Sequence, residues 1–191
     1  MLKLKKTYIT PEEYFEIEEA AEYKSEYYHG EMFAMSGASF AHNLVAGNVF
    51  ASLHRSLRDS DCIVFNSDMK IELDKAKHYA YPDVSAVCGD VRFAEGRDDT
   101  IVNPVLIIEV LSESTQKYDR DLKFKAYQNI ASLKDYILID QYSYRVEYFS
   151  KNNFGFWDSE VFEKIDDKFI VRSVDVELSL NIIYHRVRLT G

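Results

Sequence analysis

The chain has 191 residues, 47% hydrophobic and 29% charged, a mix that fits one globular domain over residues 1–191 and excludes disorder or collagen-like order. With only three prolines and seven glycines, no long flexible linker is expected within it. The net charge of −9 argues against a broad phosphate-binding surface, because sequence-independent nucleic-acid affinity rests on Lys and Arg; a local basic cleft, or a metal ion supplying positive charge, stays open.

No apolar run approaches the roughly 20 residues needed to cross a bilayer. Residues 1–6 are basic but lack the apolar stretch of a secretory signal. Cys62 and Cys88 have no metal-ligand spacing and read as small hydrophobes of a reduced, cytoplasmic protein.

The first element is a helix entered through Thr10-Pro11-Glu12-Glu13. Thr10 caps, Pro11 takes the first helical position and Glu13 completes a capping box; the helix runs to about Ala21 with Tyr14 and Ile17 inward. Residues 25–29 and 32–36 flank Gly30-Glu31 as two short strands around a turn. Leu44, Val45, Val49, Leu53 and Leu57 recur at three- and four-residue steps, so a long amphipathic helix covers residues 38–57. Strands follow at 62–66 and 69–73, and residues 74–80 read as a polar turn. Residues 84–88 and 105–111 are branched, buried strands separated by a charged, exposed loop over 89–103. A helix over 115–130 leads to a strand at 136–140. Residues 145–149, 156–162 and 169–171 form an antiparallel meander, and 178–184 a last apolar element. The order predicts an α/β (α+β) chain: a mixed β-sheet flanked by helices, with an antiparallel C-terminal meander.

Glu109 is the most unusual residue, alone among aliphatic neighbours in Val105-Leu106-Ile107-Ile108-Glu109-Val110-Leu111. A buried carboxylate left unpaired costs several kcal/mol, so a cation or strong donors should lie beside it. Alternation puts Glu109 on the face of Val105, Ile107 and Leu111. Taken alone it fits a structural ion pair as well as a catalytic acid. Asp83, after Tyr81-Pro82, enters another apolar strand; alone it reads as a turn or cap. Together, two carboxylates at the ends of neighbouring strands suit a hard cation such as Mg²⁺. On the following helix Asp119, Lys123 and Tyr127 form one stripe, either a solvated i,i+4 pair or the edge of a site.

The blocks Tyr81-Pro82-Asp83, Leu106-Ile107-Ile108-Glu109-Val110-Leu111-Ser112, Tyr118-Asp119-Arg120-Asp121-Leu122-Lys123 with Tyr127, and Tyr136-Ile137-Leu138-Ile139-Asp140 resemble the Uma family of restriction-endonuclease-like bacterial proteins. Glu26, Gly30-Glu31 and His42 match its N-terminal pattern, and the likeness covers about residues 7–185. The resemblance implies a PD-(D/E)xK nuclease core in which Asp83 and Glu109 are the metal-binding acids, joined by the backbone carbonyl of Val110. The lysine usual two residues after the second acid is replaced here by Leu111, and the resemblance implies that Lys123 takes its role from the helix. Glu26 is an additional acid of the catalytic set, or else an exposed hairpin residue. His42 reads as a capping or packing residue.

The function implied is Mg²⁺-dependent hydrolysis of phosphodiester bonds in DNA, with Mn²⁺ as a substitute and a homodimer suited to duplex cleavage. The alternative is a nuclease-fold protein with little catalysis and a binding or regulatory role. A third reading, hydrolysis of a small phosphate ester, keeps the same carboxylates and fits the acidic charge. The aromatic C-terminal meander is the expected dimer surface.

Overall fold

Residues 8–35, 37–75, 77–113 and 116–189 are described by the computed structural model, which arranges their strands in three sheets. Helix α1 (Pro11–Ala20) starts on the predicted capping box: Thr10 accepts from the Glu13 amide, and the Glu13 carboxylate accepts from the Thr10 amide at 2.7 Å. Tyr14 is buried as expected, but Ile17 is exposed. The inward place on the next turn goes to Glu18, four residues after Tyr14, which accepts from the Ser25 amide and the Tyr81 hydroxyl.

Strands β1 (Ser25–Tyr28) and β2 (Glu31–Ala34) form a hairpin around His29-Gly30, one position earlier than expected. Both turn residues have positive φ, 45° and 89°, which lets a two-residue turn follow the twist of its strands. A Cβ on Gly30 would lie 2.2 Å from the Tyr8 ring, but Tyr8 is exposed and can swing aside. Gly30→Ala is therefore expected to lower stability by about 1–2 kcal/mol, mainly through the left-handed backbone, as read by chemical denaturation.

Helix α2 (Phe40–Ser56), capped by the Ser39 hydroxyl, turns Val45, Val49 and Leu53 into the core. There follow β3 (Cys62–Asn66), β4 (Lys70–Asp74), β5 (His78–Ala80), β6 (Val84–Cys88), β7 (Thr100–Ile101) and β8 (Leu106–Leu111). The predicted helix over 115–130 is instead a short α3 (Gln116–Tyr118), a π-helical turn (Asp119–Lys123) and α4 (Phe124–Tyr127). Its predicted start at Thr115, the strand end at Ser36 and the basic residues 1–6 lie outside the described residues. The chain closes with β9 (Asp135–Asp140), β10 (Val146–Lys151), β11 (Trp157–Phe162), β12 (Lys168–Val171), β13 (Val176–Ser179) and α5 (Leu180–Ile183).

Six strands, in the order β11-β10-β9-β8-β6-β3, make the mixed sheet, in which only β8 and β9 run parallel. A second sheet, β2-β1-β5-β4-β7, and the hairpin β12-β13 complete the set. The predicted meander thus holds for its first two strands, β10 and β11, which continue antiparallel from β9, while its third, β12, leaves the sheet to pair with β13. Strand β8 has a core on each side. Leu106, Ile108 and Val110 pack with α2 and α5, and Ile107 and Leu111 pack with Tyr127, Tyr136 and Leu138. Val105, one residue before the strand, joins the first cluster rather than the Ile107 face predicted for it.

Two stretches read as polar connections contain strands. His78–Ala80 is buried between β1 and β4, because His78 and Tyr79 carry large ring surfaces under polar labels. In the loop over 89–103, Thr100–Ile101 pairs in parallel with β4, and Arg97 anchors it through bonds of 2.8 and 2.7 Å to Asp99 and 2.6 Å to Glu19. Cys62 and Cys88 are not free thiols: they face each other in the β3–β6 register and form a disulfide. Strand pairing sets them side by side across 26 residues of sequence. No described helix is long and apolar enough to cross a membrane.

Candidate active site

Asp83 acts at the point where the ladder between β6 and β8 stops. Pairing ends at Val84↔Ile108, and Pro82 has no N–H with which to extend it. The Asp83 side chain takes over, its Oδ2 accepting from the Val110 amide at 2.7 Å. This bond fixes the first acid against the strand that carries the second.

Glu109 is buried on the β8 face predicted for it. Its Oε1 accepts from the Tyr127 hydroxyl at 2.9 Å and lies 2.9 Å from Lys123 Nζ. The same ammonium donates to Glu26 Oε1 at 2.8 Å and stands 3.8 Å from Asp119 Oδ1. Glu26 is thus no exposed hairpin residue; it also accepts from the Tyr81 amide, next to Pro82-Asp83. Nor is Asp119–Lys123 a solvated pair, since both residues are buried in the π-helical turn. The wide turn places Lys123 and Tyr127 on the same carboxylate oxygen. Leu111, where the motif lysine is usual, packs with Tyr127, Tyr136 and Leu138.

Charge is unbalanced here. Glu26, Asp83, Glu109 and Asp119 converge on Lys123 and His42. Burial raises the Glu109 pKa well above the carboxylate range; Lys123 pulls it down, while Asp119, Asp83 and Glu26 push it up. Burial opposes the charge on Lys123, yet Glu109 and Glu26 hold its pKa well above the ordinary lysine value. The lysine stays charged among more carboxylates than it can neutralise. Burial also opposes a charged His42, but the hydrogen bond and field of Asp83, with the Val110 backbone and Asp119, outweigh it and raise its pKa.

A second tier supports the lysine. Its ammonium lies 5.9 Å from the centroid of the Tyr118 ring, and the Tyr118 hydroxyl is 3.0 Å from His78 Nε2. His78 is buried without a partner at Nδ1, and burial, with the fields of Lys123 and His29, lowers its pKa to about 4. Neither Tyr118 nor His78 carried a functional signal in isolation. Tyr118 adjoins the Asp119–Lys123 block, but nothing in one sequence connects it with β5.

The groups that could hold a cation are the carboxylates of Asp83 and Glu109, linked through the Val110 amide, with the Val110 carbonyl expected beside them. Lys123 stands between Glu109 and Glu26, so these acids do not form a close three-carboxylate cage. Among the described residues, Asp61, Cys62 and Cys88 are the one group of three ligand side chains lying close together, and its cysteines are tied up in the disulfide. Two carboxylates and a carbonyl, completed by water, suit a hard divalent ion.

Sheet order and site define a restriction-endonuclease-like α+β fold. The crystal structure of "a putative nuclease belonging to DUF820" from Anabaena variabilis superposes with a TM-score of 0.76 at 18% identity, covering 92% of this chain and 97% of that one. The chain belongs to the Uma2 family, described as "Putative restriction endonuclease", whose profile matches residues 11–182. Two relatives come from Synechocystis sp.: uncharacterized protein slr1290 is 34% identical over 92% of this chain and 91% of its own length. Uncharacterized protein sll1609 is 38% identical over 75% of this chain and 81% of its own.

Proposed function

We propose that this protein is a divalent-cation-dependent endonuclease acting on phosphodiester bonds of DNA, with Asp83, Glu109, Lys123 and Glu26 as its catalytic set. The observation that carries the reading is one ammonium shared by Glu26 and Glu109 at 2.8 and 2.9 Å, beside an Asp83 hydrogen-bonded to the residue after Glu109. The family description supports the same reaction class.

Asp83, Glu109 and the Val110 carbonyl would hold Mg²⁺, with Mn²⁺ as a substitute, supplying Lewis acidity toward water and the phosphate. The chain's own groups do the rest. Tyr127 and Lys123 orient the Glu109 carboxylate through hydrogen bond and charge. Glu26 holds the Lys123 ammonium in place, where a fixed cation stabilises negative charge building on phosphoryl oxygens. The site itself is dominated by carboxylates, so the positive charge that answers the overall acidity would come from the bound cation. The reading includes a homodimer, since cutting both strands of a duplex suits two-fold symmetry. Phe154 and Phe156, exposed beside the sheet edge at β11, mark the meander surface for it.

The alternative, a nuclease-fold binding protein, is favoured by one observation: Lys123 is only 4% exposed and already paired. Supercoiled plasmid incubated with the protein and Mg²⁺ or Mn²⁺ separates the two. Nicking that needs the metal and falls at least about a hundredfold in Asp83→Asn supports the enzyme. DNA retention without nicking supports the binding protein.

A further inference from the structure

His42 lies in the first turn of α2, where a histidine would ordinarily cap or pack. Capping is already done by the Ser39 hydroxyl, which accepts from the His42 amide at 3.1 Å. The ring has another direction. Its Nε2 is 3.3 Å from Asp83 Oδ2, the oxygen that accepts from the Val110 amide, and the side chain is mostly buried. The imidazole therefore lies against the first of the acids assigned above to the cation.

Its distance to Asp83 is that between two ligands, while Glu109 has to turn toward this pair for all three side chains to meet one ion. Two donors on adjacent corners of an octahedral ion with bonds of about 2.0–2.1 Å stand about 3 Å apart, close to the His42–Asp83 separation. Its chemistry also suits the site. A neutral nitrogen adds a donor without adding to a charge already dominated by four carboxylates.

We propose that His42 is a direct ligand of the divalent cation, giving a mixed nitrogen–oxygen site that takes Mn²⁺ or a neighbouring first-row transition ion in preference to Mg²⁺. The inference rests on the metal-nuclease reading and deepens it. Carboxylate, carbonyl and water donors alone serve Mg²⁺ well, whereas imidazole favours transition ions. The nitrogen should therefore shift the site's balance from Mg²⁺ toward transition ions, Mn²⁺ among them.

The test is pulsed electron paramagnetic resonance on the full chain loaded with MnCl₂, beside calorimetric titrations of MnCl₂ and MgCl₂. Wild-type protein should show nitrogen modulation on Mn²⁺ that changes on labelling histidine with ¹⁵N, a readout that needs no variant to fold. His42→Gln should lose the modulation, bind Mn²⁺ about tenfold or more weakly and lose most of its preference over Mg²⁺. Mn²⁺ binding that Asp83→Asn abolishes, without nitrogen modulation in the wild type, overturns the His42 ligand and leaves the carboxylate site standing. An unchanged Mn²⁺/Mg²⁺ preference in folded His42→Gln does the same. No Mn²⁺ binding by wild type, or binding indifferent to Asp83→Asn, removes both readings.

Discussion

Replacing Lys123 with methionine is expected to cost about 3–5 kcal/mol of stability at pH 8 and to abolish any phosphodiester cleavage. The ammonium is the common partner of Glu26 and Glu109, with Asp119 nearby, and all four groups are buried. Methionine fills similar space, so the loss is chiefly electrostatic: two carboxylates remain out of water without their cation. The cost should depend on pH in a definite direction. Burial and neighbouring acids already raise the Glu109 pKa, and removing Lys123 takes away the leading influence that lowers it. A carboxyl whose folded pKa exceeds its unfolded value of about 4.5 costs nothing while both states are protonated, and destabilises as pH rises from there toward the folded pKa. The deficit of Lys123→Met should thus be largest at pH 8 and shrink toward pH 5, measured by urea denaturation at both. A uniform deficit would place the lysine's contribution in packing rather than charge.

The parts of this site that were legible in the sequence follow strand physics. Six aliphatic residues around Glu109 left little choice but a buried strand, and period-two alternation then placed its carboxylate on the face with Ile107 and Leu111. Asp83 was placed at the entry of another apolar strand, and there its side chain bonds across to β8. Lys123 was different: helical periodicity alone put it at the border of a buried face, and only the likeness to a family singled it out. Its depth comes from the π-helical turn, which shifts the phase of the helix and carries no residue signature in one sequence. His42 was read as a capping or packing residue and its ring does pack, but the partner was hidden: Asp83 lies about forty residues on, and the contact depends on how α2 crosses the sheet. The cysteine pair, the strand His78–Ala80 and the strand Thr100–Ile101 share that cause. Each is specified by a partner in another segment rather than by its own neighbours.

Glu109→Gln is expected to have the opposite effect on stability and the same effect on activity. Glutamine keeps the shape and an oxygen that accepts from Tyr127 and Lys123, while removing one of four carboxylates that crowd the lysine. Lys123 keeps Glu26 at 2.8 Å, so its charge is not orphaned. In the wild type the raised Glu109 pKa subtracts stability progressively above about pH 4.5. The variant is spared that loss. It should match the wild type near pH 4.5 and exceed it by a margin that widens as pH rises toward 8. Mn²⁺ binding should disappear and plasmid nicking should fall at least about a hundredfold, because an amide is a poor substitute for an anionic ligand. A buried carboxylate that weakens the fold yet is needed for a reaction is the mark of a functional site, since an ion pair kept for stability would lose stability on this change. Paired melts of Glu109→Gln and Lys123→Met at pH 8, read beside the Mn²⁺ titration, decide the matter. Opposite signs with metal binding lost support catalysis, and destabilisation by both with no metal bound by the wild type makes the cluster a structural one.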